Sequence, residues 1–175
     1  SSDVFAFTSG LGTPTNRAYR EAAIADEVPQ VLVMTGDPIF SDREESPWQL
    51  GFVPIYQNEG FAFGELLASS NEQHKVAILL QNDDFGEGYV EGFKEAIEGA
   101  DNIEIVGELT YEATDTTVDA QITELAATGA DVIFNAIRVG GTDGRVVDER
   151  VAIEAGLLGQ ETIGAGGLAF ALRTL

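Results

Sequence analysis

Short apolar runs alternate with stretches of helical periodicity along this chain. Residues 4–8, 30–34 and 48–53 read as strands, the first of them buried, since each run is short, apolar and bounded by turn residues. Pro14 sits near the start of a helix over residues 16–26, where its fixed φ suits the first turn, and Pro29 breaks that helix. Residues 57–68 carry a helical pattern with Phe61, Leu66 and Leu67 on the expected inner face. From Lys75 the order becomes regular. Strands over 76–80, 104–108 and 131–135 precede helices over 88–98, 118–128 and 145–155, and another strand begins at 162–164. Strands alternating with helices of this length imply parallel βαβ units, an α/β fold of parallel sheets flanked by helices.

In such sheets ligands sit where a strand feeds a helix. The stretch "LLQNDDFGEGYVEGFKEAIEG" is one such junction. Its glycines, Gly86, Gly88 and Gly92, are spaced one residue too wide for a dinucleotide turn. Asp83, Asp84 and Glu87 also crowd the place a pyrophosphate would take, against the preference of a helix N-terminus for a bound anion. The glycines are therefore expected to let the helix approach the strand closely, and the turn to present Phe85 to a cleft.

Two chemical readings fail on missing parts. Asn82, Asp83 and Asp84 with the later run 131–135 imitate a phosphoryl-receiver pocket, but the acceptor position holds Asn135, which forms no acyl phosphate. Both lysines of the chain, Lys75 and Lys94, precede the position where a phosphoryl charge needs one. There is no Gly-x-Ser-x-Gly elbow for a hydrolase. The single histidine, His74, lies before a strand and reads as a solvated loop residue. Asp115 or Thr116 reads as a helix cap, meeting free backbone N–H groups.

Composition narrows the field further. Nine basic residues against 30 acidic ones give a net charge of −21, which opposes nucleic acid and anionic lipid. No cysteine is present, so disulfides and thiolate metal sites are excluded, and one histidine cannot make a His-based metal cluster. No run approaches the ~20 apolar residues of a membrane span. What remains is a set of polar turns, each after a strand: Thr13 to Thr15, Thr35 to Asp37, Asp83 to Phe85, Arg138, and residues 164–167. Small hydroxyls, exposed backbone N–H groups, one aromatic wall and one arginine have the composition of a small-molecule cleft.

The strings "GLGTPTNRA", "VPQVLVMTG", "VPIYQNEG", "VAILLQNDDFGEGYVEGFKEAI" and "YEATDTTVDAQITELAATGADVIFNAI" resemble the branched-chain amino acid-type periplasmic binding proteins, the type I solute receptors of ABC importers. The likeness runs from about Val4 to Gly167. It implies two Rossmann-like lobes closing on a ligand by hinge motion, with no catalysis and no cofactor. It places residues 1–54 in part of the N-terminal lobe, 55–175 in most of the C-terminal lobe, and a hinge crossing near residues 53–57. It implies a chain about half as long as a full member. The implied partners are a small amino acid or organic acid and the permease subunits of a transporter. Nucleic acid and direct membrane insertion are not among them. The implied setting is extracytoplasmic, with a monomer at full length. The same fold also serves as the ligand-sensing domain of receptors and regulators, and fold alone does not separate the two.

Carried over by position, Thr13 matches the Ser or Thr that binds a ligand carboxylate, and Thr35 with Gly36 matches the turn that adds contacts to the same group. Phe85 replaces an aromatic, usually Tyr, that closes over the ligand. Arg138 stands where amino-acid binders often have Tyr, and Gly166 where they carry a Glu for the α-ammonium. Without that Glu, an amino acid loses a charge-assisted bond of roughly 1.5–3 kcal/mol. The expectation is therefore a carboxylate-bearing ligand, with aromatic or aliphatic acids as suitable as amino acids. Asp37 or Asp84 are possible substitutes for the lost carboxylate.

Overall fold

The computed structural model describes residues 4–137 and, for the backbone alone, 161–165 and 168–172. The expected helix over 145–155 lies outside the described residues, as do Arg138 and Gly166.

The first part of the chain builds a three-stranded parallel sheet in the order β1 (Phe7–Thr8), β2 (Gln30–Val33), β3 (Gln49–Gly51). Helix α1 (Thr13–Ala25) joins β1 to β2, and a 3₁₀ turn (Pro38–Phe40) lies between β2 and β3. Pro14 does fall in the first turn of α1. The run at 4–8 is not the buried strand its apolar residues suggest. Only Phe7 and Thr8 pair, both are exposed, and Phe5 is 91% exposed. It is an edge strand, paired only with β2.

The second part is a five-stranded sheet in the order β5 (Ile103–Tyr111), β4 (His74–Gln81), β6 (Val132–Ala136), β8 (Leu168–Leu172), β7 (Glu161–Ala165). β5, β4 and β6 run parallel, joined through α3 (Asp84–Ala96) and α4 (Asp119–Ala126), as the alternating pattern predicts. β7 and β8 depart from it. They pair antiparallel with each other, and β8 pairs antiparallel with β6. Two residues separate Ala165 from Leu168, and a parallel connection needs a crossover of about a dozen or more.

β4 lies between β5 and β6 in this sheet and is buried on both faces. Val76, Ile78 and Leu80 face one cluster with Tyr56, Leu67, Tyr89, Val90, Phe93, Val132 and Phe134. Ala77 and Leu79 face another with Val118, Ile122, Leu125 and Ile133. The two-residue period of a strand produces this division, so one apolar run serves two layers. Phe93 stacks on Phe134 with ring centroids 4.4 Å apart.

Helix α2 (Tyr56–Ala68) packs against α3 by way of glycines. A Cβ on Gly60 would overlap the Tyr89 carbonyl, one on Gly64 would crowd the Phe93 carbonyl and Ala96, and one on Gly92 would overlap the Gln57 carbonyl. Of the three glycines expected to bring helix to strand, only Gly86 does so, against Gln81, while Gly88 and Gly92 meet α2. The inner face of α2 is accordingly Tyr56, Gly60, Gly64 and Leu67. Of the expected apolar stripe only Leu67 is buried, and Leu66 is 62% exposed. A helix–helix contact this close selects for the absence of side chains, so an apolar pattern alone misplaces its face.

Two smaller expectations also change. His74 is not a solvated loop residue: it begins β4, is buried, and its Nε2 lies 2.9 Å from Ser70 Oγ. Asp115 caps no helix. Its carboxylate accepts from the Glu112 N–H at 2.8 Å, while Thr117 Oγ1 accepts from Asp119 N–H at the start of α4.

Gly92→Ala is expected to force α2 and α3 apart and lower stability by about 1–3 kcal/mol in urea unfolding. Gly88→Ala, whose Cβ would lie 3.2 Å from Tyr56 Cβ, should cost less. Equal effects would mean that the helices do not meet this way.

Candidate functional site

The turn after β1 brings Thr13 to the end of β2. Leu11 bridges Met34, Gly12 N–H donates to the Met34 carbonyl, and Met34 N–H donates to the Gly10 carbonyl. Gly12 takes φ +92°, a conformation that side chains rarely adopt, as it enters α1. Asn16, wholly buried, holds the turn from below, its Nδ2 donating to the carbonyls of Gly10 and Gly12 at 2.9 and 2.7 Å.

Three hydroxyls then converge. Thr13 Oγ1 lies 2.6 Å from Thr35 Oγ1, and the Tyr56 hydroxyl lies 3.2 Å from the first and 3.0 Å from the second. All three residues are buried. Thr13 opens α1, Thr35 follows β2, and Tyr56 opens α2, so three elements contribute one group each. Gly36 has a structural place here. Its carbonyl accepts from Tyr56 N–H at 2.9 Å, and a Cβ on it would overlap the Tyr56 ring.

An aromatic wall flanks this cluster. Phe85 stands edge-on to Tyr56 with centroids 5.3 Å apart and edge-on to Tyr89 at 5.5 Å, while Tyr56 and Tyr89 lie 4.7 Å apart. Such pairs add about 0.5–1.5 kcal/mol beyond their area. Tyr89 donates to Glu59 Oε2, and burial, then that bond, raises its pKa, so it stays a neutral donor. Asp83 caps α3, accepting from the N–H groups of Phe85 and Gly86 at 3.0 and 3.2 Å. The acidic turn thus spends one carboxylate on its own helix and holds Phe85 in place.

Asp37 and Asp84 are not free for a ligand ammonium, because both are bound to Arg17. Arg17 Nε lies 2.5 Å from Asp37 Oδ2, and its Nη1 lies 3.0 Å from Asp84 Oδ2. The Asp37 side chain is 1% exposed. Its hydrogen bond is the largest cause raising the Arg17 pKa, so the guanidinium remains charged. Asp37 also accepts from Ile39 N–H, and Asp37 N–H donates to Thr35 Oγ1 at 3.3 Å.

The structure therefore brings together Thr13, Thr35, Gly36 and Phe85 of the expected set. Arg138 and Gly166 lie outside the described residues. Sequence reading missed Tyr56 and Arg17. Tyr56 hides at the start of an apolar helix, and only its position after the crossing at Pro54 marks it. Arg17 reads as a surface residue of a charged helix, and no spacing rule pairs it with Asp37 and Asp84. The Asp37 carboxylate is turned to Arg17 and Ile39 rather than to a hydroxyl, so it activates no nucleophile. Among the described residues no group of three or more His, Asp or Glu side chains is arranged to hold a metal, and no helix is long and apolar enough to cross a membrane.

Residues 1–171 match the periplasmic binding protein family. The chain belongs to that family. Solved structures agree on the fold. The solute-binding protein of an ABC transporter from Rhodopseudomonas palustris, in complex with 4-hydroxybenzoate, has a TM-score of 0.71 at 21% identity, over 86% of this chain and 39% of that one. A second, from Rhodopseudomonas palustris BisB5 with 3,4-dihydroxy benzoic acid, has a TM-score of 0.70 at 21% identity, over 86% and 40%. A fatty acid ABC transporter substrate-binding protein from Thermomonospora curvata has a TM-score of 0.58 at 20% identity, over 71% and 31%. At these identities the likeness is one of fold.

Among curated proteins, short segments match sugar-phosphate enzymes. The 6-phospho-beta-glucosidase of Escherichia coli (strain K12) is 50% identical over 46 residues, 26% of this chain and 10% of the enzyme. A probable 6-phospho-beta-glucosidase of Bacillus subtilis (strain 168) is 37% identical over 84 residues, 45% of this chain and 19% of the enzyme. The chain thus spans about two-fifths of the first two binding-protein structures and at most a fifth of these enzymes.

Asp83→Ala should remove the cap of α3 and cost about 1 kcal/mol. The expected readout is a lower melting temperature with weaker near-ultraviolet circular dichroism from the aromatic cluster. An unchanged aromatic signal would mean that Phe85 is held by other contacts.

Proposed function

We propose that the chain is part of an extracytoplasmic solute-binding protein of an ABC importer, which captures a small carboxylate-bearing ligand and performs no chemistry on it. The observation that carries this reading is the buried meeting of Thr13, Thr35 and Tyr56 beside the Phe85 wall. Hydroxyls rotate. Bonded to one another here, they turn outward to donate to a carboxylate, and a charge-assisted bond is worth roughly 1.5–3 kcal/mol against about 0.5–1.5 for a neutral one. The aromatic edge beside them suits an apolar tail.

In this reading residues 1–54 belong to the N-terminal lobe and 55–175 to the C-terminal lobe, with the crossing just before Tyr56. Arg138 and Gly166 complete the site from the C-terminal side, and the permease subunits of the importer are the partners. The ligand is an organic acid rather than a branched-chain amino acid. Asp37 and Asp84 are committed to Arg17, Gly166 carries no carboxylate, and the α-ammonium of an amino acid finds no proposed acidic partner. The benzoate-type and fatty acids named for the proteins of like fold are consistent with this choice.

A thermal-shift panel of 4-hydroxybenzoate, benzoate, short fatty acids, leucine and valine tests the proposal. At about 100 times its dissociation constant a ligand adds roughly 2.7 kcal/mol of stability. The expected result is a rise with one of the acids and none with leucine or valine. Tyr56→Phe should then weaken that acid about five- to tenfold, the net of losing a charge-assisted bond in the complex and a neutral one without ligand. Binding of leucine with simple stoichiometry would overturn the choice of ligand class.

The 50% identity to a 6-phospho-beta-glucosidase favours a second reading, hydrolysis of a phosphorylated glucoside. That match covers a tenth of the enzyme, and a phosphate entering beside α3 would meet Asp83, Asp84 and Glu87. The expected outcome is no nitrophenolate release from nitrophenyl 6-phospho-glucoside. Steady turnover that stays with the chain through purification would establish the enzyme reading instead.

A further inference from the structure

Among the described residues one ion pair joins the two sheet units, and its anchoring sets it apart. Arg17 lies on α1, beside the first sheet, and Asp84 is the first residue of α3, beside the second. Arg17 is not free to wander. Its Nε is held by Asp37, a carboxylate fixed in turn by Ile39 N–H and buried beneath it. The planar fork of an arginine offers one nitrogen to each carboxylate at once, which a lysine ammonium on a flexible stem does not reproduce.

The same residues are wired to the hydroxyl cluster on both sides. Asp37 N–H donates to Thr35 Oγ1, and Phe85, next to Asp84, packs on Tyr56. A shift of α3 relative to α1 that opened a path to the hydroxyls would carry Asp84 away from Arg17 and, because α2 is packed on α3, Tyr56 away from Thr13 and Thr35 together.

We propose that Arg17, anchored on Asp37, is a latch that closes on Asp84 and sets the balance between closed and open arrangements of the two sheet units. The latch rests on the two-lobe reading given above, but not on the identity of the ligand. The pair is half in solvent, with Arg17 40% and Asp84 50% exposed, so its effect is modest and sensitive to salt.

The chain has no cysteine, so two introduced ones are the only labelling sites. Glu21→Cys on α1 and Glu95→Cys on α3, both exposed positions, place one spin label on each unit. Electron–electron distance measurements then give the populations of closed and open forms. In the doubly labelled protein at low salt, Asp84→Asn should shift the closed-to-open ratio about two- to fivefold toward open. Arg17→Lys should do the same, and 1 M sodium chloride should mimic both. Lys94→Gln is the control. It breaks the pair of Lys94 Nζ with Glu108 Oε2 at 2.7 Å, of similar exposure but within the second unit, and should leave the ratio unchanged.

If 4-hydroxybenzoate or another acid moves the distribution while Asp84→Asn does not, the latch is wrong and the two-lobe reading stands. If neither ligand, salt nor substitution moves it, both fall. An equal shift with Lys94→Gln would also overturn the latch, since any lost ion pair would then suffice.

Discussion

The close approach of α2 and α3 is the constraint on which the site depends. Tyr56 begins one helix and Phe85 lies in the first turn of the other. Gly60 and Gly64 on one side and Gly88 and Gly92 on the other let the two backbones touch, and a carbonyl occupies the place of each missing Cβ at Gly60 and Gly92. Glycine in a helix interior costs about 1 kcal/mol against alanine. Four of them along one contact make sense only if the distance between the helices matters more than their separate stability. The gain is position: Tyr56, Phe85 and Tyr89 meet as one aromatic group beside the hydroxyls of Thr13 and Thr35.

Charge in this region is arranged to be used up. The chain carries 30 acidic residues against nine basic ones, yet the carboxylates nearest the hydroxyl cluster are neither idle nor merely solvated. Asp83 caps α3, and Asp37 and Asp84 share one guanidinium. A buried carboxylate without a partner would cost several kcal/mol. Arg17 removes that cost for Asp37 while leaving its second arm for Asp84. The hydroxyls are then the polar groups of the cluster with bonds that rearrange cheaply.

The layered α/β pattern was legible because strand and helix periods differ and β4, buried on both faces, reads as an unbroken apolar run. The parallel order of β5, β4 and β6 follows from the helices between them. Other features were not legible for physical reasons. Leu66 and Phe61 look like a core stripe, but glycines carry the contact and leave these two outside. The run at 4–8 looks buried because apolar composition does not say whether a second layer exists to cover it. Thr13 and Thr35 were findable from turns that follow strands. The role of Tyr56 comes from a fold that returns its hydroxyl to residues 43 and 21 positions earlier, and no local pattern encodes that return.

Serine-type chemistry needs a hydroxyl, a base to take its proton and a third group to orient the base. At this cluster the hydroxyls have each other. The histidine of the chain instead opens β4 and bonds Ser70, and the nearest committed carboxylate, Asp37, turns to arginine. In the proposed role such a site exchanges weak neutral hydrogen bonds for stronger ones to an anion, and reverses the exchange when the anion leaves. Reversible capture requires that difference to be moderate. Neutral hydroxyls keep it moderate at this cluster. By pairing Arg17 with two aspartates the fold holds this cation between its two units, where in the proposed role it acts on their arrangement instead of on the ligand.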